Sequence, residues 1–264
     1  MKPLGYNVGI AKSFWAVMVG YLANLAFPRM GEVTKCGVLK RTDGVKISAS
    51  MGTVVTERIF DVLSLLTILS ITFLIEFDRL NQFFINLFEE KLSKININVP
   101  LIVMVGLFLI LVVGFLIMKF KKQIMHLPLY EKLLHFKEGI LSIRRIENIP
   151  AFFLSTIGIW VLYYFMSYII VFSIPETSEL DWIAGMAILV VGGIAMSAPV
   201  QGGIGTYHLL VAALLTLYGI KQEEGVFFAT ILHTSQTLSV LFLGSIGLIV
   251  VSLSKKPLNG KNET

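Results

Sequence analysis

Ionisable side chains interrupt the apolar stretch at residues 51–76, where Glu57, Arg58 and Asp61 occur. On a helix that rises about 1.5 Å per residue, Asp61 would lie about 15 Å from the start, near mid-bilayer. Arg58 precedes Asp61 by three residues, so the two side chains can pair. One helix face collects four polar side chains, spaced by four, four and three residues: Thr53, Glu57, Asp61 and Ser64. Because intramembrane charges are usually functional, we expect a charged lining for a headgroup or ion; a structural ion pair at a helix entry is the alternative.

Prolines interrupt two other apolar stretches, at Pro28 and at Pro199. Proline removes a backbone donor and disfavours helix at the preceding residue, so two helices should end at Phe27 and at Ala198. The freed backbone groups need polar partners, and the local candidates are Asn24, Arg29, Glu32 and Gln201. Two interrupted segments, one in each half of the chain, indicate a transporter-type site near the middle of the membrane.

Glycines follow the second proline at three positions: Gly202, Gly203 and Gly205. They permit positive φ and a close backbone approach. A helix starting near Thr206 would direct its positive end at this loop, which favours a phosphate; a tight turn without a ligand is the alternative. His208, on the first turn of that helix, is a candidate for substrate contact. His233 is expected to hydrogen-bond between helices.

The composition indicates an all-α integral membrane protein. Of 264 residues, 55% are hydrophobic and only 15% charged, against about 25% charged in soluble domains, and the mean hydropathy is +0.79. We expect one transmembrane domain over residues 1–264, a polytopic bundle of six to seven apolar segments with two Pro/Gly-interrupted elements. These segments lie near 13–30, 51–76, 100–119, 151–174, 182–198, 203–219 and 226–252.

Loop charges predict the orientation. Residues 119–149 hold seven basic and three acidic side chains, 7 − 3 = +4, whereas 175–181 holds only acidic ones. By the positive-inside rule, the basic loops and the C-terminus should be cytoplasmic. Segment 13–30 either spans the membrane or turns back at Pro28. We favour the re-entrant reading, which keeps Lys12 on the side of the other basic loops and lets 182–219 enter from the opposite face, as an inverted repeat predicts.

Catalytic and metal-binding motifs are absent from the sequence. It contains no nucleophile elbow, P-loop, HExxH or DxD-type motif, so we expect no cofactor and favour a transporter over an enzyme. His126 and His135 stand in the basic loop without metal-ligand spacing, and the single Cys36 excludes an internal disulfide. The net charge of +5 is explained by topology, so we expect no nucleic-acid partner.

Four groups of residues occur in the order in which a known family carries them: Gly20 to Asn24; Pro28, Arg29, Gly31 and Glu32; Glu57, Arg58 and Asp61; and Pro199, Gly202, Gly203 and Gly205. Over nearly the whole chain they resemble the flippase-like family named for the transmembrane region of lysylphosphatidylglycerol synthase. The resemblance implies a helical protein of the bacterial cytoplasmic membrane that moves, or helps to make, a lipid or lipid-linked headgroup. It places these residues at the family's motif positions.

The resemblance leads to a specific expectation. Arg29 and Arg58 would bind phosphate with help from the glycine loop, while Glu32, Glu57 and Asp61 would hold the arginines or a cationic headgroup. The expected partners are anionic phospholipid or lipid-linked sugar, and a lipid-modifying transferase. An integral-membrane transferase or a non-catalytic subunit is the alternative. The sequence departs from the family's usual pattern in two ways. The pair of helices that usually precedes Gly20 is missing, as in a truncated or shorter member. The soluble aminoacyl-transfer domain of the family's namesake is also missing, so synthase activity is not carried over.

Overall fold

The computed structural model describes residues 2–92, 141, 146, 148–198 and 200–254. Within these ranges the chain forms α-helices and short 3₁₀ turns, and no strand. The α-helices are α1 Ile10–Ala26, α2 Met30–Asp43, α3 Ile47–Ile75, α4 Phe77–Leu92, α5 Ile149–Val171, α6 Trp182–Ser197, α7 Thr206–Thr216 and α8 Gln222–Leu253. The predicted segment 100–119, most of the basic loop 119–149, Pro199 and residues 255–264 lie outside the described residues.

Three of these helices, α3, α5 and α8, are long and apolar enough to cross a membrane. Their outer faces carry large apolar side chains in contact with the medium, such as Leu74, which is 81% exposed, and Leu162 and Phe242. Continuous apolar faces of this kind are stable against lipid rather than water. The helical membrane class is therefore confirmed. Helices α1 and α6 are also apolar but have only 17 and 16 residues.

The first hairpin consists of α1 and α2. Helix α1 ends at Ala26, and Phe27 is extended (φ −138°, ψ 125°), as expected for a residue before proline. The chain then reverses, and an ion pair of 2.8 Å between Lys12 Nζ and Asp43 Oδ1 joins the start of α1 to the end of α2. The break at Phe27 is confirmed. Helix α2 was not predicted, because its sequence was interpreted as a basic loop.

The second hairpin consists of α6 and α7. Ala198 is extended after α6, and α7 starts at Thr206, as predicted. Thr206 Oγ1 donates to the Ala195 carbonyl oxygen over 3.3 Å, which ties the two helices together beside the break. At the opposite end of the hairpin, the loop after α7 meets the start of α4, where the Arg79 guanidinium lies 4.7 Å from the centre of the Tyr218 ring.

Helix α4 falls in a region that was expected to be a loop. Leu80 and Phe83 are buried against the bundle at helical spacing, while Arg79 donates to both carboxylate oxygens of Glu76 over 2.8 and 3.0 Å. This hydrogen bonding raises the pKa of Arg79 above its ordinary value. The helix therefore caps the end of the bundle at which α3 stops, with one apolar and one charged face.

The two hairpins approach α8 from opposite ends. Arg41 Nη2 donates to the Ser252 carbonyl oxygen over 3.1 Å, so α2 ends beside the C-terminus of α8. Gly225, near the start of α8, packs on Ala212 of α7. Each hairpin is followed by a long helix, α3 or α8, and the hairpin tips meet in the middle. An inverted repeat predicts this arrangement; the position of the hairpins in the bilayer stays a prediction.

Close packing inside the first hairpin gives a paired prediction. A methyl group on Gly31 would lie 2.5 Å from the Gly20 carbonyl oxygen and from Asn24 Nδ2, whereas one on Gly37 would meet no atom within 4 Å. Gly31→Ala should therefore destabilise by about 3 kcal/mol through overpacking. Gly37→Ala, in the same helix, should stabilise by up to about 1 kcal/mol. Unfolding in detergent, followed by circular dichroism, measures both; equal effects would contradict the packing argument.

Candidate functional site

A charged pair lies at the middle of α3. Asp61 is the fifteenth of the 29 residues of this helix, and its Oδ2 lies 3.2 Å from Arg58 Nη2. The predicted pairing is confirmed. The side chains are 57% and 41% exposed, Arg58 being the more open. The guanidinium and the carboxylate therefore neutralise each other, and each side chain still has an exposed part that a ligand can contact.

A second pair joins α2 to α3. Lys35 Nζ donates to Glu57 Oε2 over 2.5 Å. Lys35 was interpreted from the sequence as a loop charge, but the structure places it within α2. Glu57 was expected to hold an arginine or a cationic headgroup, and in the structure it pairs with this lysine. The sequence did contain a signal for helix α2. Its segment begins directly after Pro28, where a helix can start, and Lys35 follows Glu32 by three residues, which is helical spacing.

Two tyrosines extend this group to α1 and α5. The hydroxyl oxygens of Tyr21 and Tyr163 lie 3.4 Å apart, and Tyr21 is close enough to Arg58 and Asp61 for electrostatic interaction. We call the charged residues Lys35, Glu57, Arg58 and Asp61 the charged cluster. It has two cations and two anions, so its formal charges cancel. Its members lie on α2 and α3, with the two tyrosines beside them on α1 and α5, and only its α3 members were predicted.

Arg29 and Glu32 form no ion pair with the charged cluster in the part of the chain that the structure describes. Arg29 is exposed at the tip of the first hairpin, in the left-handed conformation (φ 63°, ψ 9°), and within the described chain it makes no ion pair. Glu32 lies in the first turn of α2, where the helix dipole favours a negative charge. Its Oε2 is buried and, among the described residues, has no hydrogen-bond partner. Arg29 is therefore open to a ligand, whereas the unpartnered oxygen of Glu32 is covered by the protein.

The tips of the two hairpins satisfy the backbone groups that the breaks set free. Asn24 Oδ1 accepts from the Gly31 amide over 2.6 Å, at the start of α2. Gln201 Nε2 donates to the carbonyl oxygens of Leu25 and Ala26, over 2.9 and 3.0 Å, at the end of α1. Asn24 and Gln201 were predicted as partners for such groups, and this is confirmed. Gln201, however, serves the other hairpin rather than its own.

The glycine loop is a tight turn. Its three glycines have positive φ, 58° at Gly202, 74° at Gly203 and 85° at Gly205. Successive amides are already donated within the turn: Gly203 to Val200, Ile204 to Gln201, and Gly205 to His208 Nδ1. These interactions favour the tight-turn reading, since an anion would have to rely on the first turn of α7.

The predicted histidines form a stack between α7 and α8. The rings of His208 and His233 lie 4.9 Å apart at an interplanar angle of 13°, and the ring of Tyr207 meets His233 edge-on. His208 Nδ1 accepts the Gly205 amide over 3.3 Å and so caps α7. These contacts give His208 a structural role beside the tip. No hydrogen bond in the described chain links this stack to the charged cluster. His126 and His135 lie outside the described residues.

Comparisons with known proteins agree with the resemblance. The model of the family described as the lysylphosphatidylglycerol synthase TM region matches residues 1–244. The chain is 24% identical over 245 residues to the UPF0104 membrane protein MJ1078 of Methanocaldococcus jannaschii, a match that covers 91% of this chain and 99% of that protein. No solved structure matches.

The contact between the hairpin tips can be tested at Gln201. Gln201→Ala leaves two carbonyl oxygens without their donor and should cost about 1 kcal/mol, a fall of about 2–4 °C in Tm. Gln201→Glu should lower Tm further, because a carboxylate would face two carbonyl oxygens. Gln222→Ala, at the exposed start of α8, is the control. If the Glu variant is as stable as the wild type, the amide does not hold the tips together.

Proposed function

We propose, since this chain belongs to the family of the lysylphosphatidylglycerol synthase TM region, that it is a flippase-like protein of the cytoplasmic membrane. It would translocate the headgroup of a phospholipid or lipid-linked compound through a polar interior. The observation that supports this most is the charged cluster, which lies halfway along a helix long and apolar enough to span a bilayer. Charges at that depth are expensive to maintain and are typical of a substrate pathway.

Arg58 would supply the main contact to phosphate. Its guanidinium presents several donors in a planar fork that matches phosphate oxygens, and its open side leaves donors for such a ligand. Lys35 would add a second positive charge from α2. In the structure, Asp61 and Glu57 hold these cations and reduce the cost of keeping them in a low-dielectric interior. An arriving phosphate would replace part of this pairing.

The hairpin tips would form a second binding site for the headgroup, in addition to the charged cluster. Arg29, at the first tip, makes no ion pair with the other described residues and could attract an anionic headgroup, while Glu32, whose Oε2 has no hydrogen-bond partner among them, could accept from a cationic one. The turn at Gly202, Gly203 and Gly205 would contribute to this site mainly by packing against the end of α1. The acyl tails could remain in the bilayer, so only the polar part of the lipid would need the protein's interior.

The alternative is a partner subunit for an enzyme that modifies lipids. The description of the matched family, which refers to a lipid synthase, is the observation that favours it. Such a subunit would bind a lipid headgroup and present it without moving it. Stable co-purification with a transferase, together with the absence of lipid translocation by the protein alone, would support this alternative.

Lipid translocation can be measured directly. In proteoliposomes with fluorescent phosphatidylglycerol, the wild type should expose inner-leaflet label to a membrane-impermeant quencher. Arg58→Gln should slow the exchange about tenfold, because one charge-assisted hydrogen bond to phosphate is lost, and Asp61→Asn should also slow it. Lys221→Gln is the matched control, since Lys221, just before the start of α8, is 83% exposed and among the described residues forms an ion pair only with Glu224. Unchanged rates in both cluster variants would favour the partner alternative.

Arg29 allows charge and backbone strain to be separated. Glycine adopts the left-handed conformation without strain, so Arg29→Gly should keep or raise stability, by up to about 1 kcal/mol. Arg29→Ala removes the same charge but keeps the strained backbone. If the guanidinium binds headgroups, both variants should slow translocation equally in the proteoliposome assay while differing in Tm. Normal translocation by Arg29→Gly would remove Arg29 from the pathway.

A further inference from the structure

An apolar groove of about 540 Å³ lies between α3, α5 and α6. Its volume is in the range of about 300–1,000 Å³ that small-molecule sites occupy. The wall is mainly hydrocarbon and aromatic and includes a few hydroxyl-bearing side chains. The wall residues that bear on the choice of ligand are Ser64, Thr67, Trp160, Tyr164, Trp182 and Met186. The groove is separate from the charged cluster but begins beside it.

The groove has the length of one lipid chain. Along α5 it extends from Phe153 to Tyr164, and eleven steps of about 1.5 Å give about 16 Å. The hydrocarbon core of a bilayer is about 30 Å thick, so the chain of one leaflet spans about 15 Å. One acyl chain therefore fits along the groove, whereas a much longer prenyl chain would extend beyond it.

One end of the groove meets the charged cluster. Phe60, which lines the groove, directly precedes Asp61, and Ser64 follows Asp61 by three residues on the same helix face. Phe60 rests edge-on against Phe152, with ring centres 5.0 Å apart, and so marks this end. At the other end, Tyr164 donates to the Trp182 carbonyl oxygen over 3.1 Å. The site is thus charged at one end and apolar along its length.

Trp160 forms part of the apolar wall. Its side chain lines the groove about 10 Å along α5 from Phe153 and one turn before Tyr164, so it lies level with the outer part of a bound chain and away from the ester groups beside the headgroup. Its Nε1 is closed off from the groove. The choice of an acyl chain over a prenyl chain therefore follows from the length of the groove.

We propose that the groove binds one acyl chain of a glycerophospholipid whose headgroup lies at Arg58 and Asp61. The end of the chain points towards Trp182, on the side of the bundle where Arg79 lies. The headgroup of a lipid in this orientation faces the side of the bundle where Lys12 and Arg41 lie. This inference deepens the proposed function and rests on it for the position of the headgroup.

Photo-crosslinking in nanodiscs tests the occupant and its direction. Two phosphatidylglycerol probes are used, one with a diazirine at the end of an acyl chain and one with a diazirine next to the ester. Mass spectrometry should find adducts of the chain-end probe near Trp182 and Tyr164, and adducts of the ester-side probe near Ser64 and Phe153. The reverse order, or equal labelling of lipid-facing residues such as Leu66, would overturn the proposal.

A matched pair of variants tests whether the groove itself is responsible. Thr67→Phe fills the groove and should reduce chain-end adducts about tenfold, the effect of losing about two buried methylene contacts. Leu66→Phe adds a ring one residue away, outside the groove, and should leave the yield unchanged. The proposal would be overturned if the two variants gave equal yields of chain-end adducts, or if the wild type gave no adducts in the groove.

The same samples separate this proposal from the proposed function. Ordered adducts in a protein that does not translocate lipid would support the groove as a binding site and contradict the flippase function. Translocation that is sensitive to Arg58→Gln, but accompanied by adducts scattered over all apolar faces, would support the flippase function and overturn the acyl-chain site.

Discussion

The arrangement of the described bundle depends on the need to satisfy backbone polar groups where water is excluded. A break in a helix exposes carbonyl and amide groups, and each unsatisfied group costs several kcal/mol in hydrocarbon. Here both hairpins satisfy the first break: Gln201, from the second hairpin, donates to Leu25 and Ala26 at the end of α1, and Asn24 accepts from Gly31 at the start of α2. The hairpin tips are therefore coupled, since moving the second tip away would leave the carbonyl oxygens of the first without their donor.

Charge balance imposes a second constraint, at the centre of α3. Two cations and two anions, each drawn into pairs, avoid the cost of an isolated charge. The pairs differ in their consequences: Arg58 and Asp61 lie on one helix, whereas Lys35 and Glu57 hold α2 against α3. A ligand phosphate that attracts Lys35 would weaken this link between helices. Headgroup binding and movement of the first hairpin are thus physically connected in the proposed mechanism.

How far the sequence could predict this structure depends on the range of each interaction. Proline acts on its immediate neighbour, so the helix ends at Phe27 and Ala198 could be predicted, and the pairing of Arg58 with Asp61 follows from helical spacing. The contact of Gln201 with α1 joins residues 175 and 176 positions apart, which no local pattern indicates. Helices α2 and α4 were missed because their polar residues resemble loops, although α4 has an apolar face with helical spacing.

The short hairpins bear on how the proposed function would work. At about 1.5 Å per residue, α1 and α2 are about 25 and 21 Å long, less than the hydrocarbon thickness of about 30 Å. If the tips lie near the middle of the bilayer, as proposed, each hairpin would leave polar backbone and side chains partway across, and a headgroup would face a thinner apolar barrier. The groove along α5 would then give the attached chain an apolar surface while the headgroup contacts Arg58. An amphipathic site of this kind would lower the cost of both parts of the lipid at once, which neither a continuous apolar helix nor a water-filled pore would do.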